Sequence, residues 1–201
     1  SVAFSVDLFL ECATDAAPIA CTKKRLDKPA DDKASGMLYQ QGFVRHWDQW
    51  MDGRRSQLLI ASFDADGKLG EPRLRSGSID GDVPSKPFGD DGEYAFSPDG
   101  STVYFDVRNV NAGEPWSTNF DIYSVAADGS AKPVNLTADN PAWDANPLPS
   151  RDGRTLYYLA MRRPGFEADR FAIMALDLAS GDKREIAPGW DRSAGALKES
   201  V

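Results

Sequence analysis

Apolar residues in this chain come in short runs, rich in β-branched and aromatic side chains and bounded by Asp-Gly or Ser-Gly pairs. No stretch keeps a helical period beyond about two turns, so the pattern predicts strands joined by tight turns. The second half repeats itself. Glu93-Tyr94-Ala95-Phe96 leads through Ser97-Pro98-Asp99-Gly100 into the apolar run Val103-Tyr104-Phe105, and Pro147-Leu148-Pro149 leads through Ser150-Arg151-Asp152-Gly153 into Leu156-Tyr157-Tyr158. The two turn glycines lie 53 positions apart. A second turn follows each, Asp128-Gly129 and Ser180-Gly181, and a mixed polar and apolar closing strand comes next, at 132–136 and 183–186. Four short strands recurring every ~50 residues are the signature of a propeller blade.

Packing gives the reason. Val103, Phe105 and Val107 share one face of their strand, while Ile122 points opposite to Tyr123 and Val125. Both faces carry apolar groups, and neighbouring blades stacked face to face would cover them. The first third fits an incomplete unit: residues 2–9 match the second strand, 57–63 the third and 69–74 the fourth, with Asp66-Gly67 as the turn. An insertion at about 10–56 separates the first two, too long for a hairpin loop. Its charged part, 23–33, is expected to be exposed, and its aromatic part, 43–50, packed. The expected division is 1–80, an incomplete blade with the insertion; 81–138 and 139–188, full blades; and 189–201, the start of a further blade opening at Trp190-Asp191. The fold class is therefore all-β, a partial β-propeller of four-stranded antiparallel blades with about three present. Propellers close with four to eight blades, so the native protein is expected to be longer at both ends.

Composition removes several classes. The 201 residues suit one domain or a piece of a larger one. Net charge is −8, from 23 basic and 31 acidic residues. A nucleic-acid binder needs a basic face, so that class is disfavoured. No uncharged run reaches the ~18 residues of a membrane span, and neither a start Met nor a signal peptide opens the chain. Cys12, Cys21 and His46 are too few for a structural zinc site, and no cofactor or metal is expected. The two cysteines flank turn-forming residues; a disulfide and two unrelated thiols both fit, the former pointing to a periplasmic or secreted protein. Asp64-Ala65-Asp66-Gly67 lacks the ligand spacing of a calcium loop, and Asn135-Leu136-Thr137, an acceptor pattern for glycosylation, falls in an expected strand.

Four strings carry a family resemblance. They are residues 43–50 followed by Asp52-Gly53-Arg54-Arg55-Ser56; Gly81-Asp82-Val83-Pro84 running to Gly89; Pro115-Trp116-Ser117-Thr118-Asn119 running to Tyr123; and Arg163-Pro164-Gly165-Phe166-Glu167-Ala168-Asp169-Arg170-Phe171. Together they resemble the propeller of bacterial prolyl oligopeptidase-family serine peptidases, nearest to the dipeptidyl-peptidase and acylaminoacyl-peptidase members. The resemblance covers nearly the whole chain, although residues 196–201 do not continue into the next expected turn. It implies that the propeller caps an α/β-hydrolase domain of the same polypeptide, with a Ser, Asp, His triad, and gates and positions short peptides. The chain has no Gly-x-Ser-x-Gly elbow; Asp191-Arg192-Ser193-Ala194-Gly195 lacks the first glycine, and His46 stands upstream of any such serine. The segment alone is expected to be inactive, with no catalytic residue in it.

Candidate substrate-binding residues are Arg45, Asp48, Glu167, Asp169 and Trp116. Arg45, beside His46 and Trp47, offers forked donors to a peptide carbonyl or carboxylate, and Asp48 an acceptor for an ammonium; alternatively these residues form an aromatic plug fixed by an Arg-Asp pair. Glu167 and Asp169 suit a peptide amine, or a loop salt-bridged to Arg162, Arg163 and Arg170. Trp116 and Asn119 occupy the equivalent loop one blade earlier, facing the same chamber or, for Trp116, the core. The leading reading is a propeller segment of a serine peptidase cleaving short peptides. The alternatives are a stand-alone, non-catalytic binding propeller and an interaction scaffold.

Overall fold

The structure, a computed structural model, describes residues 1–27, 36, 38–39, 44–46, 48–77, 79–108 and 111–200. The strands are β1 (Val2–Phe9), β2 (Arg45–His46), β3 (Gln49–Trp50), β4 (Arg54–Ala61), β5 (Arg73–Leu74), β6 (Tyr94–Phe96), β7 (Thr102–Val107), β8 (Asp121–Ala126), β9 (Val134–Asn135), β10 (Asp144–Pro149), β11 (Thr155–Ala160), β12 (Ala172–Asp177) and β13 (Lys183–Ile186). One α-helix, α1 (Pro18–Leu26), and short 3-10 turns at Leu10–Cys12, Asp91–Glu93 and Asn111–Trp116 complete the described elements. The fold is all-β. The first sheet, β1-β4-β5, is three-stranded; the second, β6-β7-β8-β9, and the third, β10-β11-β12-β13, are four-stranded antiparallel meanders; and β2-β3 is a small ribbon. Two consecutive meanders of this order are what the repeat predicts for propeller blades.

The turn opening each meander is built the same way twice. Gly100 and Gly153 take φ of 70° and 69°, a conformation that glycine enters without steric cost. Ser97 and Ser150 donate through Oγ to Asp99 and Asp152 at 2.6 Å, and accept from the Thr102 and Thr155 amides at 2.9 and 3.0 Å. The Asp carboxylates in turn accept from the amides of Ser101 and Arg154. A shared sequence motif thus becomes a shared hydrogen-bond pattern.

Strand alternation distributes the core. Val103, Phe105 and Val107 of β7, with Tyr123 and Val125 of β8, pack against Leu58 and Ile60 of β4 and against Val83. Tyr104 and Ile122, on the opposite faces of the same strands, pack against Leu156, Tyr158, Ala160 and Leu176 of the third sheet. The second sheet is apolar on both sides because it has a neighbour on both. Phe105 stacks on Tyr123 with centroids 5.8 Å apart.

Three expectations are corrected. Residues 23–27 of the charged part are exposed as expected, but the strand reading does not foresee that they belong to helix α1: Pro18 opens it, Lys23, Lys24 and Arg25 sit in its last turn, and only Pro18 and Thr22 are buried. Its sequence has no apolar stripe to reveal it. Contacts dock it instead: the Cys12–Cys21 disulfide, the Phe9 amide donating to Thr22 Oγ1 at 3.3 Å, and Arg25 lying 4.4 Å over the Phe9 ring. Second, the aromatic part of the insertion is not packed at Trp50, which is 62% exposed; Phe43 and Trp47 lie outside the described residues, as do residues 28–33 of the charged part. Third, the closing strand of the first sheet is only Arg73–Leu74, with an isolated bridge between Phe63 and Leu69 before it. No helix among the described residues is long and apolar enough to cross a membrane.

Candidate functional site

Described residues of three connections meet at one end of the sheets: 48–53 at the end of the insertion, 111–120 after β7, and 161–171 after β11. The Gly165 amide donates to Thr118 Oγ1 at 2.9 Å and so ties the last two together. Phe120 stacks on Trp143 beneath them with centroids 4.8 Å apart, and Phe171 meets Trp143 edge to face at 5.7 Å. Asn119 turns its amide toward the Ala142 carbonyl.

Where the insertion meets β4, a cavity of about 150 Å³ opens, with Asp7, His46, Trp50, Arg55, Asp82 and Glu114 among its walls. Arg55 is its centre. Its guanidinium donates to both Glu114 carboxylate oxygens at 3.1 and 2.5 Å, to Asp82 at 3.1 Å and to Asp80 at 3.0 Å. Burial opposes the Arg55 charge, but the Glu114 hydrogen bond and the three carboxylates outweigh it and raise its pKa above the ordinary value. Burial pushes the Asp82 carboxyl up, while the Ser56 amide (2.6 Å), Lys86 and Arg55 pull it back. Lys86 also reaches Asp7 at 2.7 Å, linking the connection before β6 to β1. Arg108 approaches Glu114 at 3.6 Å and lies over the Phe120 ring. The cluster is a buried, largely neutralised network that fixes the insertion side of the rim to the loop after β7.

The residues singled out from sequence separate into two kinds. Arg45, on β2, is exposed and lies 5.3 Å over the Trp50 ring. Asp48 is exposed in the turn between β2 and β3. Trp116 is 86% exposed, so it takes no part in the core. Glu167 is exposed at the tip of the loop after β11, next to Phe166, whose ring lies 4.0 Å under Arg163. These side chains are presented at the rim. Asp169 is committed to its own loop: it accepts from the Arg162 and Arg163 amides at 2.9 and 2.8 Å and from Arg163 Nε at 3.1 Å. The Arg162 amide, followed by burial acting in the other direction and then the Arg163 and Arg170 amides, sets its pKa at about 2. Arg162 and Arg170 both pair with Glu185. Among the described residues no three His, Cys, Asp or Glu side chains come together as a metal site.

Sequence reasoning misses Arg55, Asp82 and Glu114, although all three lie in or beside the strings that carry the resemblance. The local signal misleads. Asp80-Gly81-Asp82 and Glu114-Pro115 place acids in turns, where solvent exposure is the default reading, and nothing local shows that one arginine 25 to 59 residues upstream collects them.

No protein-family profile matches the chain. Curated relatives do. It is 31% identical over 179 residues to a probable dipeptidyl-peptidase 5 of Emericella nidulans, covering 82% of this chain and 24% of that protein. Dipeptidyl-peptidase 5 of Porphyromonas gingivalis is 26% identical over 164 residues, covering 81% and 24%. Dipeptidyl-peptidase 5 of Arthroderma otae is 30% identical over 192 residues, covering 87% and 26%. The resemblance to dipeptidyl-peptidases read from the sequence is borne out by these relatives. The chain spans about a quarter of their length.

Proposed function

We propose that this chain is a propeller segment of a serine peptidase that removes dipeptides from the amino ends of short peptides. The supporting observation is the similarity to dipeptidyl-peptidase 5 proteins along more than four-fifths of the chain. In this reading residues 1–80 form an incomplete blade, 81–138 and 139–188 full ones, and 189–201 the beginning of another. The segment gates and positions substrate, and an α/β-hydrolase domain of the same polypeptide supplies the catalytic serine, aspartate and histidine. The rim has the groups that this role needs. Arg45 offers donors to a peptide carbonyl, Trp50 and Trp116 offer apolar faces, and Glu167 offers a carboxylate to a free amine. The disulfide supports an oxidising compartment, the periplasm or the cell exterior.

The test is an assay of the full-length protein on matched short peptides with free and acetylated amino ends. Dipeptide release from the free-amine peptides is expected. Glu167→Gln is expected to lower kcat/KM for the free-amine peptide about tenfold, the worth of one charge-assisted hydrogen bond at the low end, while sparing any cleavage of the blocked one. An equal loss on both removes Glu167 from recognition. A full-length protein that binds peptides and releases no product supports the stand-alone binding propeller instead.

A further inference from the structure

Three buried carboxyl groups, and a half-buried fourth, lie where the second and third sheets meet. Asp144, the first residue of β10, is 0% exposed; Asp106 of β7 is 1% exposed and Asp121 of β8 is 8%. Glu93, just before β6, is half-buried and hydrogen-bonded to the Asp106 carboxyl. Two carboxyl groups bonded to each other hold a proton between them, because two carboxylates in contact repel. Glu93 also accepts from the Ser85 amide and hydroxyl at 2.6 and 2.7 Å, and Asp106 accepts from the Asn146 amide at 2.9 Å. Asp144 Oδ1 accepts from Asn140 Nδ2 at 2.8 Å, and Asp121 Oδ2 from Asn135 Nδ2 at 2.9 Å. The other oxygens, Asp144 Oδ2 and Asp121 Oδ1, are buried with no hydrogen-bond partner among the described residues. A bare carboxylate oxygen in that position carries a large desolvation cost, which a proton removes.

We propose that this seam is a pH-sensitive joint, closed while Asp144 carries a proton and loosened when Asp144 ionises. The charged and titratable groups around Asp144 come from every neighbouring element. Asp121 faces it from β8, Tyr158 from β11 and Lys183 from β13, with Asp106 and Glu93 beyond, and Asp139, in the connection before β10, acts on Asp121 and Tyr158. Lys183 pairs with Asp139, so its charge is shared among the acids. Burial is the largest influence on Asp144; Asn140, Thr137 and Lys183 oppose it and Asp121 reinforces it, leaving the carboxyl at about 7.

The sign follows from linkage. The folded value lies above the ordinary 3.8, so the native seam holds a proton that the unfolded chain releases. Stability from this group is fully present below about pH 4 and is lost as pH rises through about 7. Position gives the joint its reach. The Asp144 amide donates to the Phe120 carbonyl at 2.9 Å, directly under the rim loops after β7 and β11. Ionisation at Asp144 therefore acts on the spacing of those loops.

The experiment is amide hydrogen exchange on the full-length protein from pH 5 to 8, corrected for intrinsic exchange. It is read on peptides spanning β7, β8 and β10, in wild type and Asp144→Asn. Wild-type protection is expected to fall by up to about tenfold per pH unit from pH 5 to about 7, the limit for one linked proton, and to level off above it, and the variant slope to be shallower by that one proton. Parallel slopes in the two proteins overturn the proposal. Infrared difference spectra of the wild type provide a measurement independent of the variant's folding. A protonated carboxyl band that titrates near neutrality and is missing from Asp144→Asn supports the joint, and the absence of any protonated carboxyl above pH 5 in the wild type overturns it.

Discussion

Arg55 holds three acids from two separate loops, and that concentration makes it the most sensitive single position at the rim. Replacing it with methionine keeps the side-chain length and leaves Asp82 and Glu114 buried without their cation. Breaking a buried ion pair from one side costs about 3–5 kcal/mol, and Arg55→Met is expected to fall in that range in denaturant titrations. Glu114→Gln retains the shape and a hydrogen-bond acceptor, and is expected to cost about 1–3 kcal/mol. A loss below ~1 kcal/mol for Arg55→Met would show that the network is solvated rather than buried. Asp169 makes the contrast. Both belong to acid-arginine groups that look alike in sequence, yet Asp169 stitches consecutive amides of its own loop while Arg55 joins distant ones. Sequence spacing reveals the first arrangement and conceals the second.

Among elements, the strands were legible and the helix was not. β7 and β8 announce themselves because alternation along them matches a neighbour on each side, and the paired Ser-x-Asp-Gly turns fix where each meander starts. α1 has no such period: its nine residues bury only a proline and a threonine, and the helix is held by the cross-link to Cys12. Chain entropy assigns a closed loop of about ten residues ~2–3 kcal/mol. Cys12→Ser with Cys21→Ser is expected to lose about that much stability and to make the chain susceptible to proteolysis after Lys23, Lys24 and Arg25. Thiol titration of the unreduced protein is expected to find neither cysteine reactive; two reactive thiols would contradict the bridge. The rim site was legible only in part. Arg45, Asp48, Glu167 and Trp116 are exposed residues on loops, which sequence can nominate; their supporting network is assembled across sheets, which it cannot.

For the molecule as a whole, the second sheet is the keystone, because its two faces feed two cores. Phe105 lies in the first of these, fully buried and stacked on Tyr123. Phe105→Ala is expected to cost about 3–5 kcal/mol and to lower the midpoint of one cooperative transition. Separate transitions for residues 1–80 and 81–200 would show that the sheets unfold independently. The sheets are also joined in a second manner. Phe120 and Trp143 form a parallel backbone bridge between the second and third sheets, beside the Asp144 amide bond. At the opposite end, the hairpins at Gly100 and Gly153 have no matching main-chain rung among the described residues. The two sheets are thus tied by main chain at the rim end and by side-chain packing alone toward the hairpins, so a substitution that thins the shared core around Ile122 and Leu156 is felt first at the hairpin end.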